Sequence, residues 1–219
     1  MSGIHLALLG MSFGEAAPTV IGQAFGGGFY AGDISTTANS VATHYLVVAP
    51  VSSGQTTAQW KNANTTTPGA DSDIDGPQNT ADMVADGNST VYPSAHFCND
   101  AVIGGFSDWH MPAKNELEVC YYNLKPTTAS NFTSSGINPN AVPARASNYT
   151  AGTPAQTSAA AFQTGGAEAF DAGNTWWSST EFSTTNARAQ YFTGGNSGYQ
   201  ASFNKNGSIR VRAVRRVPV

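Results

Sequence analysis

Gly104-Gly105-Phe106-Ser107-Asp108-Trp109-His110-Met111-Pro112, running into Lys114-Asn115-Glu116-Leu117-Glu118, is the stretch on which the fold turns. The paired glycines end whatever helix precedes them, and Pro112 stands near the start of the next. Asp108 is placed to hydrogen-bond loop amides and Trp109 to fill a core. Beyond them Leu117, Cys120, Tyr121 and Leu124 fall at i, i+3, i+4 and i+7, which predicts a helix over 113–125 with one buried face. Pro126 stops it. Glu116 is expected either to close a helix-start network or to pair with a C-terminal arginine, Arg212 or Arg215. A buried pair of that kind is structural, and costly to break from one side.

Upstream, Pro93 opens a second helix with Ala95, Cys98 and Val102 as its buried stripe. His44-Tyr45-Leu46-Val47-Val48-Ala49-Pro50 is a short apolar, β-branched run and reads as a strand. Residues 1–35 are Gly-rich and nearly uncharged. Gly26-Gly27-Gly28 lacks the Lys-Ser/Thr of a phosphate loop and reads as a tight or flexible connector. The expected division is an N-terminal attachment segment over 1–50 and a recognition domain over 51–219. Residues 54–87 are polar and turn-rich. Within them Asp71-Ser72-Asp73-Ile74-Asp75-Gly76, with Asp82 at the twelfth position, follows the spacing of a calcium loop. Pro77 and the lack of a preceding helix pattern favour a solvated turn capping a short helix at Asn79 instead. No cofactor is expected, with Ca2+ the lesser alternative.

Downstream, residues 126–174 form a long span without periodicity, the mark of a functional excursion or a mobile insertion. Trp176-Trp177-Ser178-Ser179-Thr180-Glu181 follows, then three expected strands over 187–193, 198–204 and 208–217. Lys205-Asn206-Gly207 carries an Asn-Gly hairpin signal. In the last strand Ile209, Val211 and Ala213 alternate with Arg210 and Arg212, so one face goes to the core and the other to solvent or a partner.

Only 11% of the residues are charged, and solubility rests on hydroxyls and amides. The charge is unevenly placed. All fourteen acids lie between Glu15 and Glu181, against four bases there, while Arg188, Lys205, Arg210, Arg212, Arg215 and Arg216 follow with no acid. Mutual neutralisation is the simpler reading; a basic patch for an anionic polysaccharide is the sharper one, and nucleic acid is not expected. Cys98 and Cys120 could form one bridge, and buried thiols are favoured. The N-terminus lacks a basic signal-peptide start, no stretch reaches the length of a membrane span, and no membrane insertion is expected.

Ala95-His96-Phe97-Cys98, the Gly104–Pro112 stretch, Asn115-Glu116-Leu117, Trp177-Ser178-Ser179-Thr180 and Val211-Arg212-Ala213-Val214-Arg215 together resemble a known family. It is the domain found in bacteriophage tail-fibre proteins and at the C-terminus of bacterial collagen-like adhesins. The resemblance covers about residues 75–217, in order. His110 and Met111 depart from the arginine and leucine usual there, which weakens any inherited ion pair at position 110. The resemblance implies an α+β, C-type-lectin-like fold with two helices, antiparallel strands and a long loop region. It implies adhesion or receptor binding without catalysis, and it assigns Trp177 to the core.

On a strand the neighbouring Trp176 would then face outward, a platform on which a sugar could stack. Glu181, Asn186, Arg188, Gln190, Tyr191, Asn196 and Tyr199 complete a polar-aromatic set of the kind adaptable binding surfaces use; an ordinary polar hairpin is the competing reading. Catalysis finds little support. His5, His44, His96 and His110 fall in no metal-binding spacing, Ser178-Ser179 has no nucleophile elbow, and no carboxylate pair can be placed. The expectation is a non-enzymatic virion surface protein, a tail fibre, tail tip or spike, binding a host-surface glycan or protein. It would attach to other virion proteins through its N-terminal segment and assemble as a homotrimer. The alternatives are a capsid or tail decoration protein making only protein contacts and, less favoured, a polysaccharide-degrading spike.

Overall fold

The computed structural model describes residues 15–170, 175–192 and 194–219. The chain is α+β, with two β-sheets and few helices. The first elements are β1 (Ala24–Phe25), β2 (Gly28–Ile34), β3 (His44–Val48), α1 (Val51–Gly54, one turn) and β4 (Gln55–Gln59). Three longer helices follow: α2 (Gly76–Asp86), α3 (Pro93–Asn99) and α4 (Lys114–Leu124). The last strands are β5 (Thr175–Glu181), β6 (Asn186–Tyr191), β7 (Gln200–Asn204), β8 (Ser208–Arg212) and β9 (Val214–Pro218). One sheet has the order β1-β2-β3-β9 and the other β4-β8-β5-β6-β7.

The expected boundary near residue 50 separates no structural units. β3 pairs along its length with β9, from His44↔Pro218 to Val48↔Val214, so residues 24–48 belong to the same body as the C-terminus. Residues 1–14 lie outside the described part. The triple glycine is the β1–β2 turn, with Gly26 and Gly27 at φ 57° and 80°, where a side chain would be strained.

The strand expected over 208–217 is two strands. Its direction is broken at Ala213, whose N–H donates to the Gly54 carbonyl and whose carbonyl accepts from Ala49. The chain thereby leaves one sheet and enters the other. Arg212 does not face solvent: it is buried, donating to the Ala49 and Glu168 carbonyls at 2.7 and 2.8 Å and pairing with the Glu168 carboxylate at 2.6 Å. Lys205-Asn206-Gly207 does turn the chain, with Gly207 N–H donating to the Asn204 carbonyl, yet β7 and β8 are not paired with each other. β8 lies between β4 and β5.

The described residues hold two α-helices beyond the pair that the resemblance implies: the single turn α1, just before the polar stretch, and α2, which is the short helix expected at Asn79 and runs for eleven residues. Asp75 caps α2 by accepting from Gln78 N–H, and the aspartates of the calcium-like loop diverge. Asp73 pairs with Lys114, Asp75 lies 3.6 Å from Arg216, and Asp82 accepts from Gln78. Among the described residues no three His, Cys, Asp or Glu side chains gather as metal ligands. α3 ends at Asn99, which leaves Val102 exposed and not on a buried stripe. Cys98 and Cys120 are free, buried thiols.

The motif blocks meet at one place. His110 and Val214 exchange backbone hydrogen bonds, Ser179 N–H donates to the Pro112 carbonyl, and Lys114 N–H donates to Thr180 Oγ1. Glu116 reaches back to Ala113 N–H at 2.8 Å, pairs with Arg216 at 2.7 Å and lies 3.1 Å from His110 Nε2. Its arginine partner is thus Arg216, not Arg212 or Arg215, and the histidine at 110 keeps an acidic contact. Gly76 is required here, since a Cβ on it would collide with the Glu116 carboxylate. Asp108 binds the Arg215 side chain in place of loop amides.

Apolar side chains form two clusters, on opposite faces of the β5 sheet. Trp60, Tyr92, Trp109, Met111, Trp177 and Val211 lie on one side. Leu117, Cys120, Tyr121, Phe170, Trp176 and Phe192 lie on the other, with Ile34, Leu46 and Val48. Each large side chain so buried contributes about 1.5–3 kcal/mol. The long span after α4 is well anchored as far as Phe170. Buried Glu118 accepts from Tyr149 Oη at 2.6 Å and Asn138 Nδ2 at 2.5 Å, and it pairs with Arg145. Phe162 and Phe170 plug the second cluster.

Candidate functional site

β6 and β7 pair antiparallel, and their alternation sorts them into two unlike faces. On one, Ala187↔Phe203 and Ala189↔Ala201 stand in register with the Trp177 side of the core, and Tyr191 and Tyr199 extend the row. On the other stand Asn186↔Asn204, Arg188↔Ser202 and Gln190↔Gln200, all polar.

The aromatic face is partly open. Tyr191 and Tyr199 stack with centroids 6.2 Å apart and planes 19° from parallel. Phe132 from the long span abuts Tyr199 at 4.4 Å, and Phe203 lies 5.9 Å from Tyr191. Tyr199 is exposed, and Tyr191 and Phe203 are half-buried. The row leads to a groove of about 530 Å³ lined by Thr57, Thr175, Phe203, Ser208, Ile209 and Arg210. Rings, hydroxyls and one guanidinium thus surround an open, concave surface.

Two expected site residues are elsewhere. Trp176 is wholly buried, packed edge-on against Phe170 at 4.8 Å and against Phe192 at 5.9 Å. Adjacent tryptophans do face opposite ways, but β5 lies at the centre of a sheet covered on both sides, so neither is a platform. Glu181 is a structural anchor: its carboxylate accepts from buried Lys205 at 2.9 Å and from Thr67 N–H at 2.8 Å. Burial lowers the Lys205 ammonium below its ordinary range, and Glu181 works in the opposite direction. Asn186 and Arg188 are on the polar face, Tyr191 and Tyr199 on the aromatic one, and Asn196 is exposed at the tip, where its carbonyl accepts from Tyr199 N–H. Gln190 of the expected set is buried on the polar face. Phe203, Phe132 and Gln200 lie outside that set; the alternation of residues 199–204 carries Phe203 and Gln200, but Phe132 is joined only by tertiary packing.

No family model and no curated protein matches the chain. A fimbrial protein from Bacteroides ovatus, solved at 1.85 Å, is similar in part: 15% identical, TM-score 0.45, over 82% of this chain. This chain spans 36% of that one. A likeness so distant assigns neither fold nor activity.

The basic C-terminus is largely neutralised from within. Lys205, Arg212, Arg215 and Arg216 pair with Glu181, Glu168, Asp108 and Glu116, all from the acidic part of the chain. The simpler reading of the charge asymmetry therefore accounts for these four. Among the described residues no helix is long and apolar enough to cross a membrane.

Proposed function

We propose that this protein is a non-enzymatic receptor-binding component of a virion surface, a tail fibre, tail tip or spike, that recognises a host-surface glycan. The observation that carries the reading is the stacked, partly open Tyr191–Tyr199 row beside the Phe203 groove. Sugar rings offer C–H faces that pack on aromatic rings and hydroxyl edges that need paired donors and acceptors. This surface offers both. The residues behind the resemblance to phage tail-fibre and collagen-like adhesin domains are here the frame: Trp109 and Trp177 in the core, Asp108, Glu116, Arg212 and Arg215 in ion pairs. That favours a C-type-lectin-like domain over a coincidental motif. Residues before Ala24 would attach the domain to its particle, and a homotrimer would turn weak sites into avidity.

An array of bacterial-surface polysaccharides, probed with wild type in its native oligomeric state and with Tyr199→Ala, tests this. The expected result is binding by wild type that falls about ten-fold or more in the variant at unchanged melting temperature. A folded wild type that binds no glycan would overturn it. A decoration protein making only protein contacts would then be the better reading, favoured by the exposed apolar pair Val102 and Phe106 flanking Gly104-Gly105.

A further inference from the structure

Building on the glycan reading above, we infer that the aromatic face of the β6–β7 hairpin takes an internal stretch of a linear, neutral polysaccharide, several consecutive units laid end to end, and not a single terminal sugar. Phe132, Tyr199, Tyr191 and Phe203 follow one another with centroids 4.4, 6.2 and 5.9 Å apart. Each ring meets its neighbour and none beyond it, so the four form a line and not a cluster. Tyr199 is exposed and the other three are half-buried. Isolated exposed aromatics are ordinary on a protein surface, but a contiguous apolar strip marks a contact site.

The hairpin register builds the strip. Ala189 and Ala201, paired between the tyrosines and Phe203, are 3% and 7% exposed. They interpose no bulk, and Tyr191 and Phe203 come within 5.9 Å across them. Phe132 arrives from the long span and is fixed in place. Its N–H donates to the Ser197 carbonyl at 2.7 Å, and the preceding Asn131 amide donates to the Pro154 carbonyl at 2.9 Å. A strip set before its ligand arrives loses little ordering entropy on binding. Past Phe203 the line runs into the groove of about 530 Å³, where Thr175 and Ser208 add hydroxyls that can pair with those of a sugar.

The chemistry of the strip selects the sugar. A sugar ring lies flat on an aromatic face only where its hydroxyls are equatorial and project sideways, leaving C–H bonds above and below. Units joined through equatorial bonds keep successive rings in one extended ribbon, which matches a line of side chains. A branched or tightly coiled chain presents too few units at a time to follow it. The four rings carry no charge, so nothing on the strip asks for an acidic sugar. The occupant is thus a β-linked, gluco-configured chain.

Calorimetry with cello- and chito-oligosaccharides of increasing length tests the assignment on wild type, Phe132→Ala and Tyr199→Ala. Wild type is expected to bind at least one of the two series with an affinity that rises about two- to ten-fold per added unit until the strip is covered, and then levels. Phe132→Ala, at one end of the line, should make the rise level sooner and leave the dimer's affinity within about two-fold of wild type. Tyr199→Ala, inside the line, should leave no gain beyond the dimer. A wild-type affinity independent of length, or a rise that survives both substitutions at an unchanged melting temperature, overturns the extended site and leaves the glycan reading standing. So does failure to bind either series when some polysaccharide on the array is bound. If wild type binds neither series and nothing on the array, both are overturned.

Discussion

Arg215 forks onto Asp108, with Nε 2.7 Å from Oδ1 and Nη2 2.8 Å from Oδ2. The same guanidinium donates to the Gly26 carbonyl at 2.9 Å and lies 3.8 Å over the Phe106 ring. One side chain so joins β9, the β1–β2 turn and the Gly104–Pro112 loop. The two partners are unequal: the Arg215 side chain is 9% exposed and that of Asp108 is 54%. Arg215→Ala is expected to cost about 2–3 kcal/mol, since it strands several contacts at once. Asp108→Ala should cost about 1 kcal/mol or less, because water screens the exposed end. Urea unfolding of the two variants measures the difference; equal losses would contradict it.

Acid should weaken the fold through Glu116. Burial pushes this carboxyl up, but His110 and Arg216 together outweigh burial and hold it below the usual carboxylate range. A carboxyl depressed by folding adds stability that is fully present above its unfolded value, about 4.3, and is lost as pH falls through the folded one. Stability should therefore be level from about pH 7 to 5 and fall on further acidification. Glu116→Gln should be less stable at neutral pH and show a shallower decline, as read by denaturant midpoints across the pH series.

Trp176 and Trp177 give an internal control. Both are wholly buried, but Trp177 Nε1 donates to the Ala58 carbonyl at 3.1 Å while Trp176 Nε1 has no partner among the described residues. Replacing each by Phe removes similar volume. Only Trp177→Phe also breaks a hydrogen bond and orphans its acceptor, so it should be the worse of the two by about 1 kcal/mol. Trp176→Ala should cost about 3–5 kcal/mol by opening a cavity, which makes it a stability variant and not a test of ligand contact.

Both thiols should be silent in the native protein. Burial raises Cys98 and Cys120 far above the ordinary thiol range, leaving almost no thiolate near neutrality. A thiol reagent is expected to label neither until denaturant is added, and then both. Labelling at a rate independent of unfolding would refute this.

The helical spacing of Leu117, Cys120, Tyr121 and Leu124 places α4 to within one residue at each end, and the apolar run 44–50 places β3. α2 escapes the same reading because three of its four buried residues, Gly76, Asn79 and Thr80, are not apolar. Asn79 is satisfied by the Ser72 carbonyl and Thr80 by the Gly76 carbonyl, so hydrogen bonds do there what apolar packing does in α4. Trp176 was misplaced for a different reason: parity along a strand tells which side chains share a face, but not whether a second layer covers that face. Of the binding surface, Tyr191 and Tyr199 are visible as residue types. Phe203 and Phe132 join them only once β6 and β7 are in register and the long span is packed against the hairpin.

The switch of sheets at Ala213 also sets the order of events during synthesis. β3 is made early, yet the strand that flanks it opposite β2 is residues 214–218, and β5 likewise waits for β8 to complete its pairing. Closing such distant partners is slow, since the intervening chain must be ordered first. Until the ribosome has released the arginine-rich segment, strands β3 and β4 present bare edges and the acids at Asp108, Glu116, Glu168 and Glu181 lack their cations. A nascent chain that has not yet reached residues 205–216 thus carries unpaired the carboxylates that Lys205, Arg212, Arg215 and Arg216 neutralise in the fold.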